Sequence, residues 1–132
     1  MKKLSYKEWV YSFVKNLETH LNLSGWTIRL VFVNKEKGDT VAEMDVNHVY
    51  LHAVMRVYPQ AHRYFKNNEM DMLVQTIVHE MVHVFIDPFH EFTQTYLSPS
   101  TTPLFMNIVE QQTQKLTMVL LKTLPESLIP PR

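Results

Sequence analysis

The segment 70–86 is the part of the sequence that most constrains the fold. Between Met72 and Ile86 every residue is apolar except five. A helix that is apolar on nearly all sides is buried, and the segment is too long for a typical strand. The five polar residues share one stripe of this helix, at spacings of one, three and four: Gln75, Thr76, His79, Glu80 and His83. The chain must therefore fold around a central helix that carries polar groups into the interior.

Two further helices are predicted, one at each end of the chain. Residues 4–21 have apolar residues at spacings of three and four, and Ser5 followed by Glu8 has the form of a capping box. Pro103 is predicted to open the last helix, which runs to residue 123, with Thr102 as its N-cap. Both helices are amphipathic and can pack against the central one.

Strands and loops are predicted between these helices. Residues 26–33, 40–45 and 49–55 are short and rich in β-branched and aromatic residues, which favours strands in one antiparallel or mixed sheet. Residues 59–68 and 89–102 are polar and contain turn-forming residues, so they are interpreted as loops.

The central helix is predicted to end at Asp87-Pro88, because proline cannot continue the hydrogen-bonding pattern. The last residues, 125–132, contain three prolines and are expected to form an extended, mobile tail. The predicted fold is therefore a single α+β domain over residues 1–124. It has a three- to four-stranded mixed sheet packed on the N-terminal, central and C-terminal helices.

Composition excludes several classes of function. Thirteen basic residues balance thirteen acidic ones, so no net charge favours nucleic acid or an anionic membrane as a partner. The chain has no cysteine, which excludes disulfides, cysteine-based zinc fingers and cysteine nucleophiles. The N-terminus lacks the apolar stretch of a signal peptide, and no run approaches the roughly 20 apolar residues of a membrane span. A cytoplasmic protein is expected, and its oligomeric state stays open.

His79, Glu80 and His83 form the pattern HExxH, whose spacing suits a metal. Residues four apart on a helix lie one above the other, so two imidazoles can point a nitrogen at one Zn²⁺. Glu80 lies beside the first ligand, where it can act as a general base. The competing interpretation is a core helix with two hydrogen-bonded histidines and a glutamate paired elsewhere. It requires a separate partner for each group, whereas one metal ion serves all three.

A catalytic zinc usually has a third protein ligand. His90 is one residue too distant for the pattern HExxHxxGxxH, and no glycine precedes it. Asp87 continues the line of His79 and His83, but three such groups on a straight helix span about 12 Å. Glu110 is favoured, because it flanks the apolar stripe of the last helix. The exposed centre of that helix is expected near Asn107, Gln111 and Gln114. The competing interpretation of Glu110 is a solvated helix glutamate.

With these residues in place, the chain resembles small zincin metallopeptidases of the gluzincin type, and the compact metallopeptidase-like proteins that phages and prophages encode. The resemblance covers about residues 5–122. The specific part of the resemblance is the sequence His79-Glu80-Met81-Val82-His83. The rest of it is only the order of helices and strands along the chain.

The resemblance implies peptide hydrolysis, with Zn²⁺ held by His79, His83 and Glu110 and with Glu80 as the general base. It also implies that a peptide or protein substrate lies extended along an edge strand above the metal, here the strand 49–55. His90 and Tyr96 are candidates for steadying the oxyanion. The remaining histidines are expected on the surface or in the sheet: His20, His48, His52 and His62.

Two alternatives to a general peptidase stay open. One is a regulator or adaptor that binds zinc and cleaves nothing, although Glu80 argues against a purely structural site. The other is a peptidase that acts on one partner protein. A nucleic-acid-binding role is disfavoured by the neutral charge.

Overall fold

The structure, a computed structural model, describes residues 2–132 and has a mixed α+β fold. Within this range there are four α-helices, a three-stranded mixed sheet and a short 3₁₀ turn at Glu126–Leu128. In chain order the elements are α1 Tyr6–His20, β1 Thr27–Phe32, β2 Ala42–Asn47, β3 His52–Val57, α2 Pro59–Lys66, α3 Met70–Thr95 and α4 Thr102–Thr123. The three strands and the helices at both ends agree with the prediction.

The sheet has the order β1-β3-β2. β3 pairs in parallel with β1, where Thr27 faces His52, and antiparallel with β2, where Ala42 faces Val57. β3 is therefore the central strand, and the prediction that the strand at 49–55 forms the edge is wrong. Each neighbour pairs with a different edge of β3, whose side chains alternate most regularly between buried and half-buried. β2 is the edge strand on the side of α3.

One face of the sheet and all four helices contribute to the core. Ala53, Met55 and Val57 alternate along β3 with residues that are only half-buried, as expected for a sheet with one covered face. α1 begins with the predicted capping box: the Glu8 N–H donates to Ser5 Oγ, and the Ser5 N–H donates to the Glu8 carboxylate. Its apolar stripe is buried against the sheet and α3: Trp9, Val10, Phe13, Val14 and Leu17.

α3 does not end at Asp87-Pro88, so the helix end predicted there is wrong. It continues through Pro88 to Thr95 and is 26 residues long. A proline removes one backbone hydrogen bond, and contacts on both sides of it hold the helix together. Asp87 is buried beside His48, and His90 packs against α4. Most of the predicted loop 89–102 is thus helical.

Two smaller predictions are also corrected. The predicted loop 59–68 contains α2, which starts at Pro59 in the first helical turn, where proline loses no hydrogen bond. α4 starts at Thr102, with Thr101 as its N-cap, so Thr102 is not the cap. The Thr102 hydroxyl donates to the Ser98 carbonyl.

The C-terminal residues pack against α1 and do not form a free tail. Trp9 Nε1 donates to the Pro130 carbonyl at 2.8 Å, and Asn16 Nδ2 donates to the Leu128 carbonyl at 2.7 Å. Arg132 binds Asn68. The prediction of a mobile tail missed these contacts, because two of them use backbone carbonyls that carry no sequence signature. In the described chain, no helix is both long enough and apolar enough to cross a membrane.

Candidate metal centre

A cleft of about 470 Å³ lies between β2, α3 and α4. His79, Glu80 and His83 face it from α3, and Glu110 faces it from α4. The edge strand β2 forms the opposite wall with residues 42–46. The polar stripe predicted from the sequence therefore opens into a cleft of a size typical for small-molecule and peptide sites.

α4 approaches α3 closely because its contact face contains small residues. Thr113 and Thr117 are fully buried, and their hydroxyls donate to the carbonyls of Val109 and Thr113 in their own helix. These hydroxyls are satisfied locally and need no partner from α3. The close packing brings Glu110 to the two histidines.

The carboxylate of Glu110 spans both imidazoles. His83 Nε2 lies 2.9 Å from Glu110 Oε1, and His79 Nε2 lies 3.4 Å from Glu110 Oε2. The two histidine side chains are about 20% exposed, whereas that of Glu110 is 58% exposed. Donor atoms of the three residues all lie within 4.8 Å of one another. The structure thus brings together the three residues that the sequence predicted as metal ligands.

Gln114 orients the first of these histidines. Its side-chain oxygen lies 2.9 Å from His79 Nδ1, and a carbonyl oxygen can only accept. His79 therefore carries its hydrogen on Nδ1, which leaves the lone pair of Nε2 directed at the Glu110 carboxylate. In a neutral ring this contact joins two acceptors, and a cation between them would satisfy both.

The donor set and its geometry fit a zinc ion. Ligand atoms at about 2.0–2.2 Å in a tetrahedron lie about 3.4 Å apart. Two of the three separations, those of Glu110 from His79 and His83 at 3.4 and 2.9 Å, are near this value, and no two donor atoms are more than 4.8 Å apart. Burial lowers the pKa of His83, with Glu110 acting in the opposite direction, and the neutral imidazole is the form that binds metal.

Glu80 is half-buried on the floor of the cleft beside His79. Burial raises the pKa of its carboxyl group to about 8, and the nearby carboxylates of Glu110 and Glu43 act in the same direction. A bound dication would act in the opposite direction, because it favours the charged carboxylate. The pKa of Glu80 therefore depends on whether a cation is bound beside it.

Three other residues considered from the sequence stand outside the cluster. Asp87 lines the cleft but is buried, with His48 Nδ1 at 3.4 Å from its Oδ2; burial raises the pKa of its carboxyl group. His90 Nε2 lies 3.1 Å from Met106 Sδ. Tyr96 is 75% exposed at the end of α3. The geometry therefore favours Glu110 over Asp87 and His90 as the third ligand.

Gln114 was expected at the exposed centre of the last helix, so its contact with His79 was not predicted from the sequence. The available signal is its position four residues after Glu110, on the same side of α4. Its contact with His79 depends on how α4 is rotated against α3, which the apolar pattern fixes only coarsely.

Comparisons of the chain with models of known families, with curated proteins and with solved structures find no significant match.

Proposed function

We propose that this chain is a zinc-dependent peptidase with a zincin-like site. The observation that carries the proposal is the convergence of His79, His83 and Glu110 from two helices, with Glu80 beside them in an open cleft. Two imidazoles and one carboxylate are the ligand set of many catalytic zinc sites, which leave a further position open.

The charge of the cleft supports a cation. Six carboxylate residues and no lysine or arginine line it. Two of them, Glu43 and Asp45 on β2, are paired with Lys37 and Arg56, so the remaining acidic residues of the cleft lie on α3 and α4. Zinc in such a site acts as a Lewis acid that polarises the substrate carbonyl and activates water.

Glu80 supplies the proton transfer in this proposal. Its carboxylate accepts a proton from the attacking water and then donates it to the amine that leaves. Burial raises the pKa of Glu80 and a bound dication would lower it, so the two effects oppose each other and favour a carboxyl group that can both accept and release a proton. His79 keeps its orientation through Gln114 while this happens.

β2 is the strand along which a peptide substrate would lie. It is one of the two edge strands of the sheet, and its residues 42–46 form a wall of the cleft opposite the three candidate metal ligands. An extended peptide added to this edge gains main-chain hydrogen bonds and needs few side-chain pockets. β2 therefore takes the role of substrate-binding strand, which was predicted for residues 49–55, a segment that overlaps the central strand β3.

The test combines metal content with cleavage of a degenerate peptide library, followed by mass spectrometry. Wild-type protein should bind one zinc per chain and cleave the library. Glu80→Gln should keep the zinc and lose cleavage, and His83→Ala should lose both. Glu69→Gln, an exposed residue at the start of α3, is the matched control and should change neither. Loss of zinc in Glu80→Gln would make Glu80 a ligand and contradict the assignment.

A zinc-binding regulator that cleaves nothing is the second candidate. The exposure of Glu110 favours it, because a metal held by an exposed carboxylate would lie where a partner protein can reach it. A protein that binds zinc but leaves the library intact would be tested for partners by capture on immobilised Glu80→Gln protein. Cleavage of a captured partner by wild-type protein identifies a narrow-specificity peptidase, and an intact partner identifies a regulator.

A further inference from the structure

The C-terminal part of α3 carries a stripe of exposed aromatic rings. Phe85, Phe89, Phe92 and Tyr96 are 52%, 72%, 65% and 75% exposed. Their spacings of four, three and four place them within about 60° of one another around the helix at 100° per residue. We refer to these four residues as the aromatic stripe.

The aromatic stripe continues a stripe that is buried earlier in the same helix. Val74, Val78 and Met81 lie on the same side of α3, and all three are buried in the core. Beyond Val84 the helix extends past the elements that cover this side. Four neighbouring aromatic rings in solvent form a contiguous apolar patch, which typically marks an interaction site.

The area of the patch fits pairing with a second copy. An aromatic side chain has about 150–250 Å² of surface, so the exposed fractions leave roughly 500 Å² on each chain. A symmetric pair would bury roughly 1,000 Å² in total, which reaches the lower limit for a specific interface.

The charges around the aromatic stripe also favour a second copy. Its neighbours on the helix surface are Pro88, Thr93 and Thr95, all uncharged. In a two-fold interface both copies use the same patch, so a patch bordered by charges of one sign would face like charges, and an uncharged border avoids this repulsion. A membrane surface would instead require flanking lysine or arginine.

We propose that the chain forms a symmetric dimer in which the aromatic stripes of two copies pack against each other. His79 and His83 lie roughly 110–150° around α3 from this stripe. Pairing therefore leaves the cleft open, and a dimer has two accessible candidate metal sites.

The first test is the mass in solution, by light scattering after size exclusion at about 50 µM protein. Wild type should give twice the chain mass of 15.7 kDa. Phe89→Gln/Phe92→Gln should be a monomer with an unchanged circular dichroism spectrum. Its dimer dissociation constant should rise at least about a hundredfold, because each dimer loses four buried rings.

The control Val49→Gln/Tyr50→Gln removes two equally exposed apolar side chains from the turn between β2 and β3 and should stay a dimer. A monomeric wild type would overturn the proposal, whether or not it binds lipid vesicles. A Phe89→Gln/Phe92→Gln protein that remains a dimer would overturn it as well.

The second test is disulfide cross-linking, for which the absence of cysteine from the chain is an advantage. Thr93→Cys lies at the border of the aromatic stripe and leaves all four rings in place, so mild oxidation should link two chains. Thr19→Cys, at an exposed threonine of α1, should link much more slowly. Equal rates for the two variants would contradict pairing through α3.

Discussion

Both halves of α3 have apolar side chains along the same side of the helix, but in opposite surroundings. In the inner half, residues 70–84, side chains such as Leu73, Ile77 and Met81 are buried among α1, α2, α4 and the sheet. In the outer half, residues 85–95, three phenylalanines are more than half exposed. The helix is continuous between them and passes through Pro88.

The unexpected residues are polar in the inner half and aromatic in the outer half. In the buried inner half an apolar side chain is expected, and the polar ones, His79, Glu80 and His83, require partners. In the outer half a polar side chain is expected, and the aromatic ones require a partner. One helix thus points to two interactions: a metal on one side near its middle, and another protein surface on a different side near its end.

The largest expected difference between the halves is in stability. Met81→Ala should lower the free energy of unfolding by about 2–5 kcal/mol, because it leaves a cavity in a closed core. Phe89→Ala should change it by no more than about 0.5 kcal/mol at concentrations where the chain is monomeric, because the ring is 72% exposed. Urea unfolding followed by tryptophan fluorescence measures both. Equal losses would mean that the outer half is part of the core.

A second prediction tests how Gln114 supports the candidate metal site in the inner half. Gln114→Ala should weaken zinc binding about 10- to 100-fold, because His79 loses the hydrogen bond that fixes its ring and tautomer. Gln111→Ala, which changes an exposed glutamine on the same helix, is the control and should have no effect. Competition with a chromogenic zinc chelator gives the affinities. An unchanged affinity for Gln114→Ala would show that His79 is positioned by packing alone.

Features that depend on one helix alone could be predicted from the sequence, whereas contacts between helices could not. The pattern HExxH depends only on neighbours along one helix, so His79, Glu80 and His83 could be identified from spacing. Glu110 could be proposed because it lies beside an apolar stripe, but not established, since its distance from His83 depends on the packing of α4.

Two predictions were wrong because tertiary contacts, and not the local sequence, decide the outcome: the helix end at Pro88 and the position of β3 in the sheet. Pro88 is a local signal for a helix end, but the helix continues through it, with tertiary contacts of Asp87 and His90 on either side. The order of the strands follows from the pairing of distant segments, so the sequence placed β3 at the edge where the structure has it in the centre.

Glu80 should make the stability of metal-free protein depend on pH. Its pKa in the folded protein is raised to about 8, so between its ordinary pKa and pH 8 the folded state keeps a proton that the unfolded state has released. The free energy of unfolding should therefore fall by about 1 kcal/mol between pH 7 and pH 9. Glu80→Gln should remove this fall, as measured by urea unfolding in the presence of a chelator.

The histidines contribute little to the change in the free energy of unfolding between pH 7 and pH 9. The lowered pKa of His83 affects stability mainly below its ordinary pKa, where the unfolded state gains a proton. A fall of equal size in wild type and Glu80→Gln would assign it to another group.

The smallest expected effect is that of Pro88→Ala on global stability. Proline inside a helix costs about 3 kcal/mol through the missing N–H and the contact of its ring with the preceding turn. The outer half buries little, so it can open while the core stays folded. The free energy of global unfolding should then rise by less than about 1 kcal/mol, whereas hydrogen exchange of the amides of residues 89–95 should slow markedly. Pro59→Ala, at the first turn of α2, should change neither. A global gain near 3 kcal/mol would instead mean that the two halves unfold as one unit, so that the outer half owes its order to the core and not to a partner.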